Sequence, residues 1–127
     1  MNLNLINCFF ITHRSTDKNW STPKGFARAL KNQGLNLIEF DFINPENFIF
    51  PENDYFLKNN IEVVISFYAG KCLILEKGLK RIKEQLGIII VCELGDEPQT
   101  LIHNDIIASI ANISLSPDYR SSLYWQN

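Results

Sequence analysis

Short apolar runs alternate along this chain with longer stretches whose apolar residues recur every three or four positions. Leu3 to Ile11 and Gly87 to Leu94 are apolar almost throughout, the pattern of a parallel strand covered on both faces. Ile61 to Phe67 is predicted to be a third such element, and Asn112 to Ser116 a short one. Leu35 to Phe42 differs: Ile38, Phe40 and Phe42 lie on one face, Glu39 and Asp41 on the other, which predicts a strand near a sheet edge.

The intervening segments read as helices. Ser21 or Thr22 can cap a helix that has Pro23 in its first turn, where the missing N–H costs nothing. Phe26, Ala27 and Leu30 form its apolar stripe, and Gly34 suits a left-handed ending. Pro45 and Pro51 break the next stretch, leaving one short helix over Glu52 to Lys58; Phe48, Phe50, Tyr55 and Phe56 are expected to cover a sheet face. After Gly70, residues Cys72, Leu75, Leu79, Ile82 and Leu86 keep helical spacing until Gly87 stops it. A further helix is predicted from about Gln99 to Ile110, and Pro117 begins a final turn or helix.

The order β-α-β-α-β-α-β-α-β predicts an α/β fold: a Rossmann-like three-layer α/β/α sandwich with a five-stranded parallel sheet. The expected strand order is 3-2-1-4-5, which sets strands one and four side by side and faces the loop of His13 toward that of Asp96. Residues 1–127 suffice for a single domain with its own core.

Composition narrows the function classes. A formal net charge of −2 predicts no nonspecific attraction to nucleic acid. No apolar run approaches the ~20 residues of a membrane span, and Met1 to Asn4 lacks the basic flank of a signal peptide. Cys8, Cys72 and Cys92 are too widely spaced for a zinc site and odd in number for a disulfide framework; buried thiols in a reducing cytoplasm are expected.

Common α/β signatures are missing. The loop from Thr12 to Ser21 has no glycine, so neither a dinucleotide fingerprint nor a phosphate-cradling P-loop is present. A receiver domain would carry acidic residues where this chain has Thr12, His13 and Ser66, and no G-x-S-x-G nucleophile elbow occurs. What is left is a polar rim at the predicted strand ends: His13, Arg14, Ser15 and Thr16; Ser66, Tyr68 and Lys71; Asp96, Glu97, Gln99 and Thr100; and Ser116, Asp118, Tyr119 and Arg120. Hydroxyls, carboxylates and aromatics of this kind suit a polyhydroxylated ligand.

Each of these residues has a structural alternative. His13 titrates near neutral pH and can serve as a general base, or it can bond to backbone. Asp96 or Glu97 can bind or deprotonate a hydroxyl, or cap the helix starting near Pro98. Trp20 is a stacking platform or, the favoured reading, a hydrophobic staple. Lys77, Lys80, Arg81 and Lys83, with Glu76 and Glu84 among them, read as a solvated helix face, and His103 as structural.

Three segments carry a resemblance to a known family: Thr12 to Gly25, Glu93 to Thr100, and Ala111 to Asp118 with Tyr124 beyond. Together they resemble the N-terminal half of GT-B glycosyltransferases, particularly the spore-maturation-protein-like type. The resemblance implies two Rossmann-like domains facing a cleft, the N-terminal one holding the acceptor and the C-terminal one the nucleotide diphosphate sugar. It makes Asp96, Glu97 and His13 the candidates for acceptor binding or general-base catalysis, with Arg14, Trp20, Ser66, Tyr68, Gln99, Thr100, Ser116 and Asp118 as the binding rim. No metal ligand set and no cofactor are expected in this domain, and the sugar donor is expected on a C-terminal partner domain. Leu123 to Asn127 reads as a helix without a stop signal, so the chain is expected to continue and to have little activity alone. The alternative is a self-contained flavodoxin-like module that binds a ligand at the same strand ends without catalysis. A hydrolase using Asp96 and Glu97 as an acid/base pair ranks last, because neighbours in one turn rarely flank a substrate from opposite sides.

Overall fold

A computed structural model describes residues 6–13, 22–42, 49–67, 72–93 and 101–115; the side chains of 13, 22, 41, 42 and 101–105 lie outside that description. Five strands and four helices alternate: β1 (Asn7–His13), α1 (Thr22–Asn32), β2 (Asn36–Phe42), α2 (Asn53–Lys58), β3 (Val63–Ser66), α3 (Leu73–Leu86), β4 (Ile89–Glu93), α4 (Leu101–Ile110) and β5 (Ile113–Leu115). All four strand pairings are parallel. The fold is thus α/β with a five-stranded parallel sheet, consistent with a Rossmann-like fold.

Its layers follow from strand alternation. On one face, Cys8, Phe10, Ile65 and Phe67 pack against Ala27, Phe26 and Leu30 of α1. On the other, Phe9, Ile11, Val64, Ile90 and Cys92 pack against Phe56 of α2, Leu75, Leu79 and Ile82 of α3, and Ile107 of α4. Phe9 anchors that second core, meeting Phe40 and Phe56 with ring centroids 5.3 Å away in each case. Phe50 lies against α3 at Gly78, the one position where the helix has no Cβ to keep the ring out.

The ends of α1 and α3 are set by glycine. Gly34 after α1 (φ 95°) and Gly87 after α3 (φ 67°) both take the left-handed conformation. Gly87 N–H donates to the Lys83 carbonyl, closing the last turn.

The strand order corrects the sequence expectation. It is β2-β1-β3-β4-β5 rather than 3-2-1-4-5. β2 is at an edge, as its alternation predicts, but β3 inserts between β1 and β4. The insertion is fixed at both ends of β3: Glu62 N–H donates to the Asn7 carbonyl and Phe67 N–H to the Ile11 carbonyl. Asn7 adds a clamp, donating to the Asn60 carbonyl and accepting from the Asn36 amide at 2.7 Å. β1 and β4 are therefore two strand spacings apart, about 10 Å, and the loops of His13 and Asp96 do not leave from adjacent strands. β1 also runs two residues further than predicted, so Thr12 and His13 belong to the strand. Ile89 of β4 is 46% exposed, so β4 is buried fully on one face only, at Ile90 and Cys92.

Candidate functional site

Every strand of a parallel sheet ends at the same edge, so His13, Phe42, Ser66, Glu93 and Leu115 stand in a row along it. In a doubly wound sheet ligands bind beyond this edge, at the point where the strand order reverses. With β1 flanked by β2 and β3, that point is the crevice between β1 and β3.

Ser66 occupies it. The apolar run Val63-Val64-Ile65 builds the strand, and Ser66 closes it as the only polar residue of β3. Its backbone lies in register with Ile11 of β1 on one side and Cys92 of β4 on the other. The residue is fully buried, and its Oγ has no hydrogen-bond partner among the described residues. A buried hydroxyl left unpaired costs about 1–3 kcal/mol, so such groups need an explanation in function or in bound solvent. Thr12, on the opposite face of the sheet edge, is also buried.

Of the residues picked from sequence, the structure describes Ser66 in full and the backbone of His13, which pairs with Phe42 at the end of β1. Arg14, Trp20, Tyr68, Asp96, Glu97, Gln99, Thr100, Ser116 and Asp118 lie outside the described residues. The four strands that lead into them, β1, β3, β4 and β5, are parallel members of one sheet.

Two residues of the supposed solvated face of α3 are instead tied into the structure. Arg81 donates to Asn53 Oδ1 at 3.0 Å and to the Pro51 carbonyl, with its guanidinium 5.6 Å from the Phe50 ring centroid. Lys83 Nζ donates to the Ile110 carbonyl at the end of α4. Glu76 departs furthest from expectation: it is 4% exposed, and its Oε1 has no partner among the described residues. The sequence held a signal for this. Cys72, Glu76, Leu79 and Lys83 form one i, i+4, i+7, i+11 row, the row that α3 turns toward α4 at Lys83.

Cys8, Cys72 and Cys92 are buried thiols outside any disulfide. Burial pushes the Cys8 thiol up to about 12, against a smaller lowering by its hydrogen bond with the Ile65 backbone; burial alone does the same for Cys92. Both are poor nucleophiles at neutral pH for that reason. Among the described residues no group of three His, Cys, Asp or Glu side chains is arranged to hold a metal, and no helix is long and apolar enough to cross a membrane.

No family model matches the chain, and no curated protein matches it.

Proposed function

We propose that this chain is the acceptor-side domain of a glycosyltransferase, which passes a sugar from a nucleotide diphosphate sugar to a hydroxyl. The observation that carries the reading is the common edge: Thr12 to Gly25 leaves from β1, Glu93 to Thr100 from β4, and Ala111 to Asp118 runs through β5. In a parallel sheet the first two of these segments begin at that edge and the third reaches it at the end of β5. The Ser66 hydroxyl, without a partner among the described residues, adds a polar group at the reversal point of that edge. A nucleotide pocket is the weaker use of this edge, since Thr12 to Ser21 contains no glycine to admit a phosphate against the backbone. In this reading His13, Asp96 or Glu97 takes the proton from the acceptor hydroxyl as it attacks the anomeric carbon, and the donor is held by a second domain.

The test is transfer by the enzyme that contains this domain together with its donor-binding domain. Substituting the base among His13→Ala, Asp96→Asn and Glu97→Gln lowers kcat by about 10²–10⁴-fold, the usual contribution of a positioned base. Unchanged turnover and acceptor affinity in all three would remove these residues from the site.

The observed strand order favours a second reading. The order 2-1-3-4-5 is that of flavodoxin-like folds, which suits a self-contained module binding a ligand or partner at the β1/β3 crevice. The parent reading frame separates the two. A continuation of about 150–200 residues with its own β/α alternation supports the enzyme; a stop codon after Asn127 supports the module.

A further inference from the structure

The two faces of the sheet are unequally covered. Among the described residues α2, α3 and α4 pack on one face, where Val64, Ile90 and Cys92 are fully buried, and α1 is the one helix on the other. The core under α1, built on Cys8, Phe10, Ile65 and Phe67, has only partly buried Val63 and Val91 at its margin. Ile89, Ile113 and Leu115 continue this face outward. Ile89 is two positions from Val91, Ile113 pairs with Val91, and Leu115 pairs with Glu93. These three apolar residues are 46%, 51% and 38% exposed. The open strip thus runs over β4 and β5, two strands and about 10 Å wide. That is the width of one helix.

We infer that residues 117–127 form the helix that covers this strip. Their sequence carries the signals of a helix start: Ser116 suits the N-cap, Pro117 the first helical position, and Asp118 the positive end of the helix. Eleven helical residues are about 16 Å long, the length of the five residues of β4, also about 16 Å. Tyr119 and Leu123 are one turn apart and share a side of that helix, with Tyr124 next to Leu123. The sheet leaves one face to choose. A helix turning back from the end of β5 finds the far face of β4 already closed over Ile90 and Cys92, so it lies beside α1. A second copy of the chain could meet the same apolar strip. The chain's own segment has the advantage of a tether at Leu115, inside the strip, which gives it an effective concentration of about millimolar. It also avoids the loss of translational freedom that joining two chains costs.

The test is a set of methyl and aromatic NOE spectra of the full chain, recorded on labelled protein and on an equal mixture of labelled and unlabelled protein. Contacts are expected from the methyls of Ile89, Ile113 or Leu115 to the Tyr119 ring or the Leu123 methyls, and none of them in the interchain-filtered spectrum of the mixture. Contacts that pass the interchain filter put a second copy on the strip and overturn the inference. So does the lack of any contact between residues 117–127 and the strip. Urea unfolding gives an independent readout. Leu123→Ala, Ile89→Ala and Ile113→Ala each lower the midpoint. Leu123→Ala combined with Ile89→Ala or with Ile113→Ala lowers it by less than the sum, because the first substitution has already removed the shared contact. A Leu123→Ala midpoint equal to that of the parent, or additivity in both pairs, overturns the inference.

Discussion

Gly78 shows how one residue can reverse a general preference. An alanine there would raise helix propensity by about 1 kcal/mol in an exposed helix. In α3 its Cβ would fall within the Phe50 ring, which is buried between α3 and Phe56. Overpacking of that kind costs about 1–3 kcal/mol, so Gly78→Ala is expected to lower the urea midpoint. A midpoint unchanged or raised would show that Phe50 repacks freely. The other residue-scale lesson lies in charge. Arg81, Lys83 and Glu76 sit in a sequence that reads as a solvated face, Glu76-Lys77-Gly78-Leu79-Lys80-Arg81-Ile82-Lys83. Charge alone cannot tell a snorkelling or bonded side chain from a solvated one; helical position relative to the neighbouring elements does.

At the scale of elements, the strands and helices were largely legible because their signals are local. Helical spacing from Cys72 to Leu86, Pro23 in the first turn of α1 and left-handed Gly34 and Gly87 depend only on near neighbours. The ends of the elements were less so. Thr12 and His13 read as loop, but β2 offers Asp41 and Phe42 to extend the ladder, so β1 continues. Joints between elements rest on side chains no local pattern marks. Arg81 ties α3 to the start of α2 through Asn53 and Pro51, and Asn112 copies a backbone group, its Oδ1 accepting from Ile90 N–H at 2.8 Å just before β5. Lysine at position 81 keeps the charge but loses the fork that serves two acceptors and the flat group that stacks on Phe50. Arg81→Lys is expected to cost about 1–2 kcal/mol. Denaturant unfolding measures it, and a cost no larger than that of an exposed arginine would show the joint to be incidental.

For the whole molecule, burial links the core to pH. The folded chain holds protons on Cys8 and Cys92 up to about pH 12, whereas the unfolded chain releases them near the ordinary thiol value of 9.0. The folded state binds more protons in that window. The stability the thiols confer is therefore complete below about pH 9 and declines toward pH 12, by about 1.4 kcal/mol per pH unit for each thiol. Urea unfolding across this range should show the decline, and a Cys8→Ala, Cys92→Ala double variant should flatten it; an equal slope in both proteins would remove the thiols as its cause. The sequence by itself determined the kinds of element, their order, the parallel sheet and the apolar stripes of α1 and α3, because hydrophobic periodicity and glycine placement act over a few residues. Of the candidate site it marked the strand-end edge and Ser66; on α3 it read Glu76 as solvated where the structure buries it. Tertiary structure alone decided that β3 lies beside β1, which puts Ser66 between Ile11 and Cys92 and keeps β1 and β4 apart. Crossover handedness selects the face that each helix covers. It leaves open on which side of β1 the third strand pairs; the long-range contacts of Asn7, Glu62 and Phe67 hold it between β1 and β4.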